Sequence, residues 1–103
     1  MIKNLTPHDI TIMDKKGILA IVPHCKQIAR VATTKTELPD IFGIPVVTTT
    51  FGELENLPEP EEGTIFIVSR LVLNACSRPD LYAPGELVRD DNGNPIGCMG
   101  LSR

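Results

Sequence analysis

The most apolar run in this chain, Thr64-Ile65-Phe66-Ile67-Val68, is short, rich in β-branched side chains, and stopped at once by Ser69-Arg70. β-Branched residues are stiff at χ1 and pack well on a pleated surface, so the run predicts a central strand. The rest of the core is bound by the same preference. The chain has three Phe (Phe42, Phe51, Phe66), one Tyr (Tyr82) and no Trp, so the interior must rest on Ile, Val and Leu. With 103 residues and 42% hydrophobic content, residues 1–103 are expected to form a single soluble globular domain. A chain of this size buries roughly two-thirds of the surface its unfolded form exposes.

Period-two alternation places most of the other strands. Ile10 and Ile12 share one face of Asp9–Met13, Asp14-Lys15-Lys16-Gly17 supplies turn residues, and Ile18, Ala20 and Val22 resume the period. This predicts a β-hairpin that ends at Pro23-His24. Residues 27–34 form a third strand, interrupted at Leu38-Pro39-Asp40. Residues 44–50 form another, with Pro45 near its start and Phe51-Gly52 as its break. Residues 54–63, with Pro58 and Pro60, read as an exposed acidic loop. Glu86–Arg89 and Pro95–Met99 flank Asp90-Asp91-Asn92-Gly93-Asn94, and Asn-Gly is the strongest short hairpin signal. Gly97 and Gly100 mark bulges or close backbone approach. Residues 69–76 are the best helix candidate, only about two turns long and dependent on packing. A faint echo between Val31-Ala32-Thr33-Thr34-Lys35-Thr36 and Val47-Thr48-Thr49-Thr50 reads as β-composition rather than duplication. The expected fold is mainly β: a small barrel or rolled antiparallel or mixed sheet of six to seven short strands, with one short helix near residues 69–76.

Charge and cysteine content remove several function classes. Net charge is −3, and Glu53, Glu55, Glu59, Glu61 and Glu62 cluster. No basic run is long enough to neutralise several phosphates, so duplex nucleic acid is not an expected partner. One phosphate-bearing small molecule needs only one or two cations. The cysteines Cys25, Cys76 and Cys98 are odd in number and lack Cys-x-x-Cys pairing, which points to a reducing cytoplasm and away from a structural zinc site. No secretory h-region opens the chain, and no apolar run approaches the roughly 20 residues that span a bilayer. No metal and no cofactor are expected.

The candidate ligand-binding residues fall in two clusters. In the first, Ser69 caps a helix start and Arg70 grips a phosphate or carboxylate through parallel hydrogen bonds; the plainer alternative is an ordinary N-cap and a solvated arginine. Arg78 and Asp80 either close a pocket or form a proline turn. Tyr82 stacks on a base or sugar, or is buried with its hydroxyl satisfied. Asn74 needs a backbone or ligand partner inside its helix. In the second cluster, Asn4, Thr6 and His8 offer donors and acceptors within Asn4-Leu5-Thr6-Pro7-His8-Asp9, or else build a structural turn. No catalytic residues are assigned: there is no Gly-x-Ser-x-Gly elbow, phosphate loop or dinucleotide fingerprint.

Asn4-Leu5-Thr6-Pro7-His8, Gly43-Ile44-Pro45-Val46-Val47, Phe51-Gly52-Glu53, Leu57-Pro58, Arg89-Asp90, Gly93 and Ile96-Gly97-Cys98 together carry a resemblance over nearly the whole chain. The chain resembles small uncharacterised proteins encoded by bacteriophages and prophages. The resemblance implies a compact accessory protein in the bacterial host cytoplasm and assigns no residue a role. Small phage accessory proteins often counter host defence by sequestering nucleotide-derived signals, typically as oligomers. The expected function is therefore binding of a small anionic, phosphorylated nucleotide-derived ligand by a homo-oligomer. Two alternatives stand beside it. One is a small hydrolase of a phosphorylated metabolite using His8 or Asp80. The other is a virion or protein-interaction module that presents the acidic loop Glu53–Glu62.

Overall fold

Short apolar segments separated by turn residues give eight strands and one helix. The computed structural model describes residues 1–103. In chain order the elements are β1 (Ile2–Asn4), β2 (Ile10–Asp14), β3 (Gly17–Val22), β4 (Arg30–Ile41), β5 (Ile44–Glu55), β6 (Ile65–Ile67), α1 (Arg70–Ala75), β7 (Leu81–Arg89) and β8 (Pro95–Ser102). Six strands form one mixed sheet in the order β1-β6-β7-β8-β2-β3, curled into a half-barrel. β4 and β5 form a separate two-stranded sheet.

The predicted hairpins pair as their turns require. β2 and β3 run antiparallel, with Ile10 opposite Val22 and Ile12 opposite Ala20. In the β7–β8 turn the Asp90 carboxylate accepts from the backbone N–H groups of Asn92 and Asn94, both at 2.9 Å, and Gly93 takes φ 82°. β6 lies between β1 and β7, parallel to both. A strand with parallel neighbours is covered on both faces, and Phe66, Ile67 and Val68 are fully buried. Phe66 and Val68 enter a core with Leu5, Ala29, Val31, Val72 and Leu81. Ile67 enters a second one with Ile10, Ile12, Val22 and Cys98. Ser69 caps α1, its hydroxyl accepting from the Val72 N–H at 3.3 Å, and Val72 anchors the helix in the first core.

Two expected strand breaks are bulges instead. β4 runs on through Pro39 to Ile41, and β5 runs on through Gly52 to Glu55. The pairing shifts between Leu38 and Ile41, where Pro39-Asp40 stands opposite the single residue Pro45, and again where Gly52-Glu53 stands opposite Ala32. Proline is tolerated here because each strand of a two-stranded sheet has a free edge that needs no N–H donor. The echoed segments turn out to be cross-strand partners: Thr34 faces Thr50, Lys35 faces Thr49 and Thr36 faces Thr48. The expected loop from residue 54 therefore starts only after Glu55, and residues 81–85, read from the sequence as the end of a polar turn that starts at Ser77, belong to β7 instead.

The β4–β5 hairpin projects as an arm. Twelve residues per strand span about 40 Å. Only Val31 in its root is buried; the distal residues of both strands are exposed, apart from half-buried Val46. The molecule measures 51 × 40 × 22 Å, with a radius of gyration of 16.8 Å; a compact chain of this length has about 13 Å. No helix is long and apolar enough to cross a membrane.

Gly85 shows how closely β7 and β8 approach. A β-carbon there would overlap the Met99 carbonyl oxygen and lie 2.9 Å from that of Gly100. Backbone cannot yield as a side-chain tip does, so Gly85→Ala is expected to destabilise by about 2 kcal/mol or more. Urea denaturation checks this; an unchanged midpoint would show that the hairpin has slack.

Candidate functional site

The Asn4-Leu5-Thr6-Pro7-His8 segment folds into a hydrogen-bonded knot around one buried amide. The Asn4 amide nitrogen donates to the His8 carbonyl at 2.8 Å and to the Val22 carbonyl at 2.9 Å. Its oxygen accepts from the Thr6 N–H at 2.9 Å and the Thr6 hydroxyl at 2.6 Å. An amide has two N–H donors and one oxygen with two lone pairs, so every valence is used. Asn4 is wholly buried and Thr6 nearly so. Both therefore hold the turn in place, and neither side chain has a free group to turn toward a ligand. His8 is different: it is exposed and sits on the lip of a cleft of about 450 Å³ between β2, β7 and β8. The cleft wall includes Ile10, Leu87 and Ile96.

Arg78 is equally committed. Its guanidinium meets the Asp80 carboxylate through two hydrogen bonds, 3.0 and 2.6 Å, and donates a third to the Pro58 carbonyl at 2.7 Å. It also lies over the Phe66 ring at 5.8 Å, within cation–π range. Side-chain exposures of 21% and 15% shelter the pair from solvent screening. The Arg78 hydrogen bonds hold the Asp80 carboxyl below its ordinary value of 3.8, and the same bonds push the Arg78 pKa further up. Arg78 thus staples the 57–58 loop to the start of β7.

Arg70 is not neutralised. It donates to the Ser102 hydroxyl, a neutral partner, and no carboxylate pairs with it. Beside Ser102 is Arg103, whose guanidinium lies 5.3 Å over the Tyr82 ring and also lacks an acidic partner. The sheet causes this convergence. Ile67 of β6 pairs with Tyr82 of β7, and Ala83 pairs with Ser102 of β8, so the segment leaving β6 at Ser69-Arg70 reaches the end of β8. Of the expected site residues, Ser69, Arg70 and Tyr82 share this corner. Asn74 lies elsewhere, in a shallow depression of about 210 Å³ with Val31, Phe51 and Leu71. His8 shares neither depression nor hydrogen bond with Arg70 or Arg78.

Arg103 and the pairing of Asp9 with His24 escape the sequence reading. The Asp9 carboxylate accepts from the His24 backbone N–H at 3.0 Å and lies 2.6 Å from the His24 ring nitrogen. The backbone bond, then the ring bond, draw the Asp9 pKa down. The β2–β3 register carries a usable signal for this pair: Ile10 opposite Val22 brings residue 9 beside residues 23 and 24. Arg103 has no such signal, because it acquires its neighbours only through sheet order. No three His, Cys, Asp or Glu side chains gather as a metal-binding group.

Comparison of the chain with protein-family models, curated proteins and solved structures gives no match. The functional reading therefore rests on the geometry above.

Removing the Asn4 amide takes the acceptor from the buried Thr6 N–H and the amide donor from the Val22 carbonyl, and leaves the His8 carbonyl with the Thr6 hydroxyl alone. Asn4→Ala is expected to cost about 3 kcal/mol in urea denaturation, and Asn4→Asp more, because its carboxylate would face the His8 and Val22 carbonyls. A second outcome concerns pH. Folding lowers the Asp80 pKa, so the unfolded chain takes the proton more readily. The stabilisation from Arg78–Asp80 is thus complete above the ordinary value of 3.8 and is lost as pH falls below it. Asp80→Asn should lower stability at neutral pH and shrink the loss on acidification. Parallel curves for both proteins would assign the acid loss to other groups.

Proposed function

We propose that this chain is a phage-type accessory protein that binds, without transforming, a small phosphorylated nucleotide-derived ligand such as a host immune signal. The observation that carries this reading is that Arg70, on the Ser102 hydroxyl, and Arg103, over the Tyr82 ring at the end of the same strand, have no ion-pair partner. Of the ten Lys and Arg residues only Lys3 and Arg78 form ion pairs; Arg70 and Arg103 stand apart because both lie at the end of β8, where two cations together attract an anion. Arginine donors match phosphate oxygens in parallel pairs, and the Ser102 hydroxyl adds a donor beside Arg70. The Tyr82 face, over which Arg103 now lies, offers a surface for a base once Arg103 turns to a phosphate.

Arg103 takes the place that sequence reading gave to Arg78. The Arg78 charge is already spent on Asp80, and the same bond keeps Asp80 ionised and so ill-suited to donate a proton near neutrality. That favours a binder over a hydrolase using Asp80. One corner supplies two cations, and a homo-oligomer would bring two such corners to a ligand with several phosphates.

Titration calorimetry with cyclic nucleotides and ADP-ribose derivatives tests the reading. One of them is expected to bind and to be recovered intact after the protein is denatured. Arg70→Ala and Arg103→Ala should each weaken binding about tenfold or more, in keeping with loss of a charge-assisted hydrogen bond. Arg78→Ala should lower the melting temperature instead. No binding across the panel, or binding unaffected by both Arg70→Ala and Arg103→Ala, removes the proposal.

A further inference from the structure

The β4–β5 arm exposes apolar side chains on both faces. Leu38, Ile41, Ile44, Val47 and Phe51 are 43–61% exposed, and Phe42 at the tip is 99% exposed. A two-stranded hairpin with no covered face is marginal in water. The tip adds a local cost. Phe42 has φ 50° and Gly43 φ 77°, the left-handed pair of a tight hairpin turn. Asn or Gly is usual at the first position; a bulky residue there is disfavoured. Nothing within the chain contacts the Phe42 ring to offset that cost.

A second uncovered surface lies on the main sheet. β3 is an edge strand, Gly17-Ile18-Leu19-Ala20-Ile21-Val22, with no charge and no proline. Ile18, Leu19 and Ile21 are 61–63% exposed, so both faces of the strand meet solvent. Bare apolar edges template pairing with another chain, and native proteins cover or charge them.

Area and charge identify what covers the two surfaces. The chain exposes 7348 Å², about 1,650 Å² more than the roughly 5,700 Å² expected of a compact monomer of this mass. A standard interface hides about 800 Å² per partner, so the excess matches two such faces on each chain. The arm carries Glu37 and Asp40 toward the end of β4, and Lys15-Lys16 immediately precede β3. None of these four has an ion-pair partner in its own chain. Laid antiparallel, the end of β4 meets the start of β3, and the two acids meet the two lysines.

We infer that the β4–β5 arm covers the β3 edge of a second copy of this chain, adding its β4 edge to that sheet. Backbone hydrogen bonds supply the pairing, as in other strand additions. Glu37 and Asp40 against Lys15 and Lys16 set direction and register. Self-association is part of the reading proposed above, but this contact involves none of the ligand-binding residues, so either can fail alone.

Charge reversal with mixing tests the contact, read by sedimentation velocity on the full chain. The wild type should be oligomeric at micromolar concentration. Lys15→Glu with Lys16→Glu in one protein, and Glu37→Lys with Asp40→Lys in another, should each associate at least tenfold more weakly. Mixing the two variants should restore a complex between them. Phe42→Asn suits the turn and should keep the fold, checked by circular dichroism, while weakening association. All substituted residues are exposed, and the wild-type mass is informative even if one variant misfolds. A monomeric wild type overturns the inference, and so do charge reversals that leave association unchanged or mixed variants that fail to combine.

Discussion

A single buried amide governs how this fold closes. Asn4 ends a three-residue strand too short to hold its place by its own ladder. The side chain reaches the Val22 carbonyl at the end of β3 and the His8 carbonyl before β2, while the backbone holds Cys25 and the next residue, Leu5, bonds Ile67 and Ala29. Asn4 and Leu5 thus tie the two ends of the half-barrel, β1 and β3, to each other and to β6. The strength comes from burial: every donor and acceptor is met where water cannot compete, and removing any one leaves the others unpaired at full desolvation cost.

The same accounting separates structural polar groups from available ones. Arg78 and Arg70 look alike in the sequence, each beside a serine near the helix. Arg78 meets a sheltered carboxylate and a loop carbonyl, so its charge is neutralised and its donors are used. Arg70 meets only a hydroxyl, and Arg103 only an aromatic face, so their charges remain unbalanced. The arm presents a parallel contrast in apolar surface. Two small cores cover most Ile and Val of the main sheet, while the β4–β5 arm beyond Val31 and the β3 edge before Val22 leave theirs in solvent. Uncovered apolar area on this scale is the feature a self-contained monomer of this size would avoid.

Local features of this fold could be read directly. The hairpin around Lys15-Lys16, the Asn92-Gly93 turn, the Ser69 cap and the buried Thr64–Val68 strand all depend on neighbours a few residues apart, where turn chemistry and side-chain period act. Pro39 and Gly52 misled for a physical reason. Each ordinarily ends a strand, but here each sits in a bulge of a strand with a free edge, where a missing donor or side chain costs little. The threonine-rich echo was visible, but only pairing shows that its two copies face each other.

The residue pattern by itself determined a mainly β chain with one capped helical turn, because β-branched runs and turn residues act over short range. Long-range pairing decided which polar groups are free. Sheet order β6-β7-β8 brings Arg70 to Ser102 and Arg103 to Tyr82, and folding of the Asn4 segment consumes Asn4 and Thr6 while leaving His8 outside. It also separates the arm from the half-barrel, since β4 and β5 find in each other their only partners. A side chain's type states what it can bond, but whether those bonds are already made depends on residues tens of positions away.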